Sequence, residues 1–132
     1  MSKLQDFLAL PDVTDITEEI YINERLGTFT VKPLTEKQWT NYRNRCKGKI
    51  NKQGMDFDSG KFNLLIIAGQ IVEPNFSDGD FLTKAGCSTA SEFITKKFLA
   101  GEIADIAEKI TKVSGFDPET NDINEDIEEA KN

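Results

Sequence analysis

The chain is 132 residues long, 38% hydrophobic, carries a formal net charge of −7 and contains no histidine. That length can bury one modest core, and no stretch approaches the roughly 20 apolar residues of a membrane helix. The start, MSKLQDFLALPDVTD, is too polar for a secretory signal, so one cytoplasmic domain over residues 1–116 is expected, followed by a short tail.

In chain order, Ser2 to Leu10 has the composition of a short helix stopped by Pro11. Ile16, Ile20 and Ile22 then alternate with Thr17, Glu19 and Tyr21 at the strand period, with Glu18 as the misfit. Asn23 to Gly27 reads as a turn, and Thr28 to Lys32 places Phe29 and Val31 on one face. This predicts a β-hairpin over about 16–32, closed by Pro33. A lone hairpin is marginal in water, so its apolar face must lie on later helices or on another subunit.

Thr35 and Gln38 fit a capping box, Leu34 and Trp39 a hydrophobic staple, and a helix follows over about 36–46. Its Trp39, Tyr42 and Cys46 form a stripe that reads as core packing. From Arg43 to Lys52 there are five bases (Arg43, Arg45, Lys47, Lys49, Lys52) and no acid, with Gly48 marking a loop. This is a candidate electrostatic docking segment for an acidic chain; a small regulatory or nucleic-acid-binding module using it is the rival reading, and the near-neutral body argues against nucleic acid.

Asp58 can cap the next helix, over about 59–72, with Phe57 and Phe62 as a staple and Pro74 as its stop. Leu64 to Ala68 is apolar all round, which marks the central helix. Ser77 or Asp78 opens a short amphipathic element over about 78–85, ending at Gly86. Thr89 with Glu92 makes a second capping box for a helix over about 90–114, interruptible at Gly101 and capped by Gly115. Its seam, Leu99, Ile103, Ile106, Ile110 and Val113, has the spacing of a buried stripe and serves either as core or as a partner-binding face.

Residues 117–132 hold seven acids and one base, Lys131, whereas residues 1–116 hold 16 acids and 15 bases. The body is nearly neutral and the charge belongs to the tail. With only Ile123 and Ile127 as sizeable apolar residues, the tail cannot offset its ordering entropy and reads as disordered. The whole predicts an α+β, mostly helical fold: an N-terminal β-hairpin packed on about four to five helices, with a disordered acidic end.

Chemistry is scarce. Cys46 and Cys87 are far apart and no histidine accompanies them, so zinc sets cannot assemble and two reduced thiols are expected. There is no phosphate-binding Gly-rich loop and no nucleophile motif. The calcium-like strings from Asp56 and from Asp117 fail, because Ile67 replaces the closing carboxylate in one and Asp122 the required glycine in the other. Asp78 and Asp80 read as helix-start residues. No catalytic, cofactor-binding or metal-ligating residue is expected.

The ordered series KPLTEKQW, a Cys followed by a basic loop, FDSGKFN, VEPNF, FLTKAGCSTASEFI and LAGEIADIAEKITKVSGF resembles the XkdN-like family of phage tail assembly chaperones, found in PBSX-type prophages of Gram-positive bacteria. The similarity covers about residues 24–116. It implies a non-enzymatic factor that binds the tape measure protein, keeps it soluble while tail tube subunits polymerise around it, and leaves before the virion is complete. The implied partners are the tape measure and tail tube proteins, with self-association open and neither membrane nor nucleic acid expected. Genes of this kind commonly make a longer product by a −1 frameshift, and Ala130-Lys131-Asn132 can be encoded by GCA AAA AAC, which contains a slippery heptamer.

Overall fold

The computed structural model describes residues 3–51 and 54–116, with the backbone alone for 49–51 and 54–56. The expected disorder of 117–132 therefore concerns residues outside those described, as does Lys52.

An N-terminal helix, α1 (Lys3–Leu8), precedes a 3-10 turn (Val13–Asp15), and every side chain of α1 is exposed. The alternating stretch forms β1 (Glu18–Asn23) and β2 (Gly27–Val31), an antiparallel hairpin with Ile20 opposite Phe29. Ile20, Ile22, Phe29 and Val31 face inward while Tyr21 faces solvent, as a period of two requires. Gly27, at φ 79°, supplies the left-handed residue at the turn.

Helix α2 (Glu36–Cys46) starts on the predicted capping box: Thr35 Oγ1 accepts from Gln38 N at 3.1 Å and Gln38 Oε1 accepts from Thr35 N at 3.0 Å. Lys47 does not enter a loop. It begins β3 (Lys47–Asn51), which pairs antiparallel with β4 (Gly54–Phe57), so the basic segment is the end of a helix followed by a second hairpin. Glycines and lysines without apolar alternation conceal this hairpin from a periodicity reading.

Helix α3 (Ser59–Gln70) is capped by Asp58, whose Oδ1 accepts from Lys61 N at 3.0 Å, and the Phe57 and Phe62 rings lie 5.4 Å apart. It ends at Gln70 rather than near residue 72, because Ile71–Glu73 becomes a short strand, β5, on the open edge of β2. The sheet order is β1-β2-β5. Helix α4 (Gly79–Ala85) starts on Asp78, not Ser77, and Gly86 closes it at φ 72°.

The pattern over residues 90–114 divides into α5 (Ala90–Lys97) and α6 (Ala100–Val113). The break falls at Phe98 and Leu99, both extended, and not at Gly101. Phe98 turns into a cluster of aromatic rings, while the Glu102 carboxylate accepts from Leu99 N at 2.7 Å. At the start of α5, Thr89 accepts from Glu92 N, but the Glu92 carboxylate reaches Ser88 N instead of the Thr89 amide.

The fold is thus α+β, with a small antiparallel sheet laid on helices. Helix α3 packs on α2, α5 and α6, and α6 also packs on β1. Ile66, Ile67, Ile94, Ile106 and Ile110 meet the inner face of the hairpin with almost no exposure. One buried polar residue ties the layers: Gln70 Nε2 donates to Lys32 O at 2.8 Å, and Gln70 Oε1 accepts from Tyr42 Oη at 2.9 Å. Burial raises the Tyr42 pKa, so this hydroxyl stays protonated and keeps donating.

Candidate partner-binding site

The tip of the β1–β2 hairpin is held against the α5–α6 junction. Asn23 Oδ1 accepts from Leu26 N at 2.8 Å and shapes the turn, and Asn23 Nδ2 donates to Glu102 at 2.9 Å. Arg25 donates to Glu102 through Nε at 3.0 Å and through Nη2, and Nη2 also reaches Lys97 O at 2.9 Å. Glu102 is 7% exposed, and the donors around it hold its pKa down at about 2, Arg25 first, then the Leu99 amide and Asn23. A buried carboxylate is tolerated here because it is paired and multiply hydrogen-bonded.

This clasp forms one wall of an open groove of about 340 Å³ lined by Arg25, Leu26, Phe29, Pro74, Phe76, Phe93, Lys97 and Phe98. Phe76 is its centre, stacked on Phe93 at 5.5 Å and edge-on to Phe29 and Phe98, each at 5.8 Å. Phe76 and Phe93 are the half-buried rings it presents, Phe29 and Phe98 lie almost wholly buried behind them, and Arg25 and Lys97 stand on the rim. Such a surface suits an apolar segment carrying an acidic residue, since the rings supply area and the rim supplies orientation.

A second hollow, of about 270 Å³, lies between α3, the end of α5 and the start of α6, lined by Gly60, Asn63, Leu64, Thr95, Ala100, Ile103 and Ala104. The seam read from sequence is therefore divided. Ile106 and Ile110 are wholly buried, Val113 packs against the core, Ile103 lines the hollow and Leu99 is 64% exposed. Its middle is closed, Leu99 stands open at the N-terminal end, and Ile103 and Val113 are half-buried.

Of the basic segment, Arg43, Arg45 and Lys47 are exposed on the last turn of α2 and the start of β3. Lys49 lies on β3 with its backbone alone described. No carboxylate pairs with Arg43, Arg45 or Lys47 among the described residues, where the ion pairs are Arg25–Glu102 and Lys109–Asp105. Cys46 beside them is buried, and burial raises its pKa, which leaves an unreactive thiol.

Two features escape a sequence reading. The groove draws its rings from the hairpin, the segment after β5 and α5, and no local spacing announces that convergence. The N-terminal stretch exposes Leu4, Phe7, Leu8, Leu10 and Val13, each by more than half. Helical spacing could have revealed that apolar stripe but not that the domain leaves it uncovered. Among the described residues no three potential metal ligands cluster, and no helix is long and apolar enough to cross a membrane.

The fold is similar to the crystal structure of the protein YqbN, with a TM-score of 0.64 and 19% identity over 89% of this chain and 99% of that one. No curated protein is matched by the sequence. The family described as phage XkdN-like tail assembly chaperone protein matches residues 4–131, reaching into both the N-terminal stretch and the acidic tail. With nearly its whole length matched, the chain belongs to the phage XkdN-like tail assembly chaperone family.

Proposed function

We propose that the protein binds the tape measure protein of its phage or prophage, keeps it soluble in the cytoplasm of a Gram-positive host, and hands it to polymerising tail tube subunits. It acts without catalysis and leaves before the virion is complete. The observation that carries this reading is the aromatic groove of Phe29, Phe76, Phe93 and Phe98 with Arg25 and Lys97 on its rim. A long tape measure chain offers amphipathic helices whose apolar faces must be covered until tube subunits enclose them, and a helix lying in a groove is the physical solution. Leu99 and Ile103 extend the accessible apolar surface at the start of α6, whereas Ile106, Ile110 and Val113 support it from the core. Release follows from competition: tube subunits that bind the same faces displace the chaperone by mass action.

Co-expression with the tape measure protein encoded beside it is the test. The client should be soluble with the chaperone and insoluble alone. Equal insolubility in both cases overturns the reading. The same proposal includes a −1 slip over the codons for Ala130 to Asn132; codons other than GCA AAA AAC, or no overlapping frame downstream, dispose of it.

A further inference from the structure

We propose that the acidic segment 117–132 folds back along α2 and occupies the basic surface of Arg43, Arg45 and Lys47, leaving it when another polyanion competes. The described chain ends at Phe116, against α2. The Phe116 ring lies 4.6 Å from that of Trp39, in the first turn of α2. Ser114 fixes the approach, since its hydroxyl accepts from Leu34 N at 2.7 Å and donates to Ile110 O at 2.7 Å. The described chain therefore ends beside α2, and Arg43, four residues after Trp39, is the next side chain along that side of the helix.

Charge complementarity is unusually complete. Between Lys37 and Met55 the sequence has six bases and no acid, and residues 117–132 have seven acids and one base. From Trp39 to Lys47 is about 12 Å along the helix axis, while 16 extended residues span about 50 Å or more, so the segment reaches without strain. Tethering at its root gives an effective concentration of the order of millimolar, which no free acidic peptide in the cell matches easily. The groove is a poorer destination: it lies at the far end of α6, about 20 Å from Phe116, and offers two cations, one of them already committed to Glu102.

The contact is electrostatic and exposed, so it loosens as salt rises. It hides a face that would otherwise collect nucleic acid, and a partner with its own acidic run can take that face over.

The test uses the full chain by NMR. At low salt, backbone amide resonances of Arg43, Arg45 and Lys47 should differ between the native protein and a variant with all seven tail acids changed to Asn or Gln. The two spectra should converge near 1 M salt, and those of Asp105 and Lys109 should not differ at any salt. In the reverse direction, Arg43→Gln with Arg45→Gln should move the amide resonances of 117–132. The neutral-tail variant should bind heparin, as a polyanion probe, several-fold more tightly than the native chain. Identical α2 resonances at low salt, or tail resonances indifferent to the Arg43 and Arg45 changes, overturn the proposal.

Discussion

Gly69 lies directly beneath Tyr42: a Cβ on Gly69 would overlap the Tyr42 hydroxyl oxygen and stand 3.1 Å from Cζ. Through that bare backbone α2 approaches α3 closely enough for Tyr42 to donate to Gln70, the polar residue on which the hairpin exit and two helices converge. Gly69→Ala should push Tyr42 aside, leave the Gln70 carbonyl without its donor and cost about 1–3 kcal/mol. Thermal melting checks this, with Gly101→Ala as the control: nothing lies within 4 Å of a Cβ there, and its melting temperature should hold or rise.

Coupling should also be visible between the two residues. Tyr42→Phe alone removes the donor to Gln70 and should cost about 1 kcal/mol. In the double variant the hydroxyl that collides with the new methyl group is gone, so the combined loss should be smaller than the two single losses added. Strict additivity in urea unfolding would show that Gly69 and Tyr42 do not act on each other.

Stability should have an acid limb set by Glu102. Its pKa in the fold is about 2, below the unfolded glutamate value near 4.3, so the folded state favours the charged form. The stabilisation is whole above about pH 4.3 and is lost as pH falls toward about 2. Glu102→Gln should lower the urea midpoint at pH 7 and flatten its fall between those values. A variant as steep as the native protein in that window would assign the acid limb elsewhere.

The buried middle and the exposed start of the seam should behave oppositely. Ile106→Ala removes a fully buried side chain and should cost about 2–5 kcal/mol, while Leu99→Ser at an exposed site should stay within about 0.5 kcal/mol. If the accessible end meets the client, Leu99→Ser should nonetheless reduce tape measure solubilisation on co-expression.

On the groove rim, Lys97→Glu should weaken client rescue with little change in melting temperature. Its ammonium has no ion-pair partner among the described residues, and the clasp uses only its backbone carbonyl. Rescue equal to that of the native chain would remove the groove from the binding surface.

What could be read beforehand was local. Thr35, Asp58, Asp78 and Thr89 announce helix starts because a cap is satisfied within three residues, and the hairpin shows itself by alternation. The β3–β4 hairpin has no such alternation, and β5 is too short to interrupt a helical pattern. The division of α5 from α6 was invisible because neither glycine nor proline causes it; Phe98 follows rings from other elements. Arg25 and Glu102 stand 77 residues apart, and no window of sequence brings them together.

The bond from Leu34 N to the Ser114 hydroxyl spans 80 residues. A ribosome adding about 5–20 residues each second finishes the first side of that contact about 4–16 seconds before the second exists. During that interval the hairpin has no α6 to lie against, and its apolar face is open to any neighbour. A member of a tail assembly chaperone family thus passes, while it is being made, through a stage in which its own apolar surface lies uncovered.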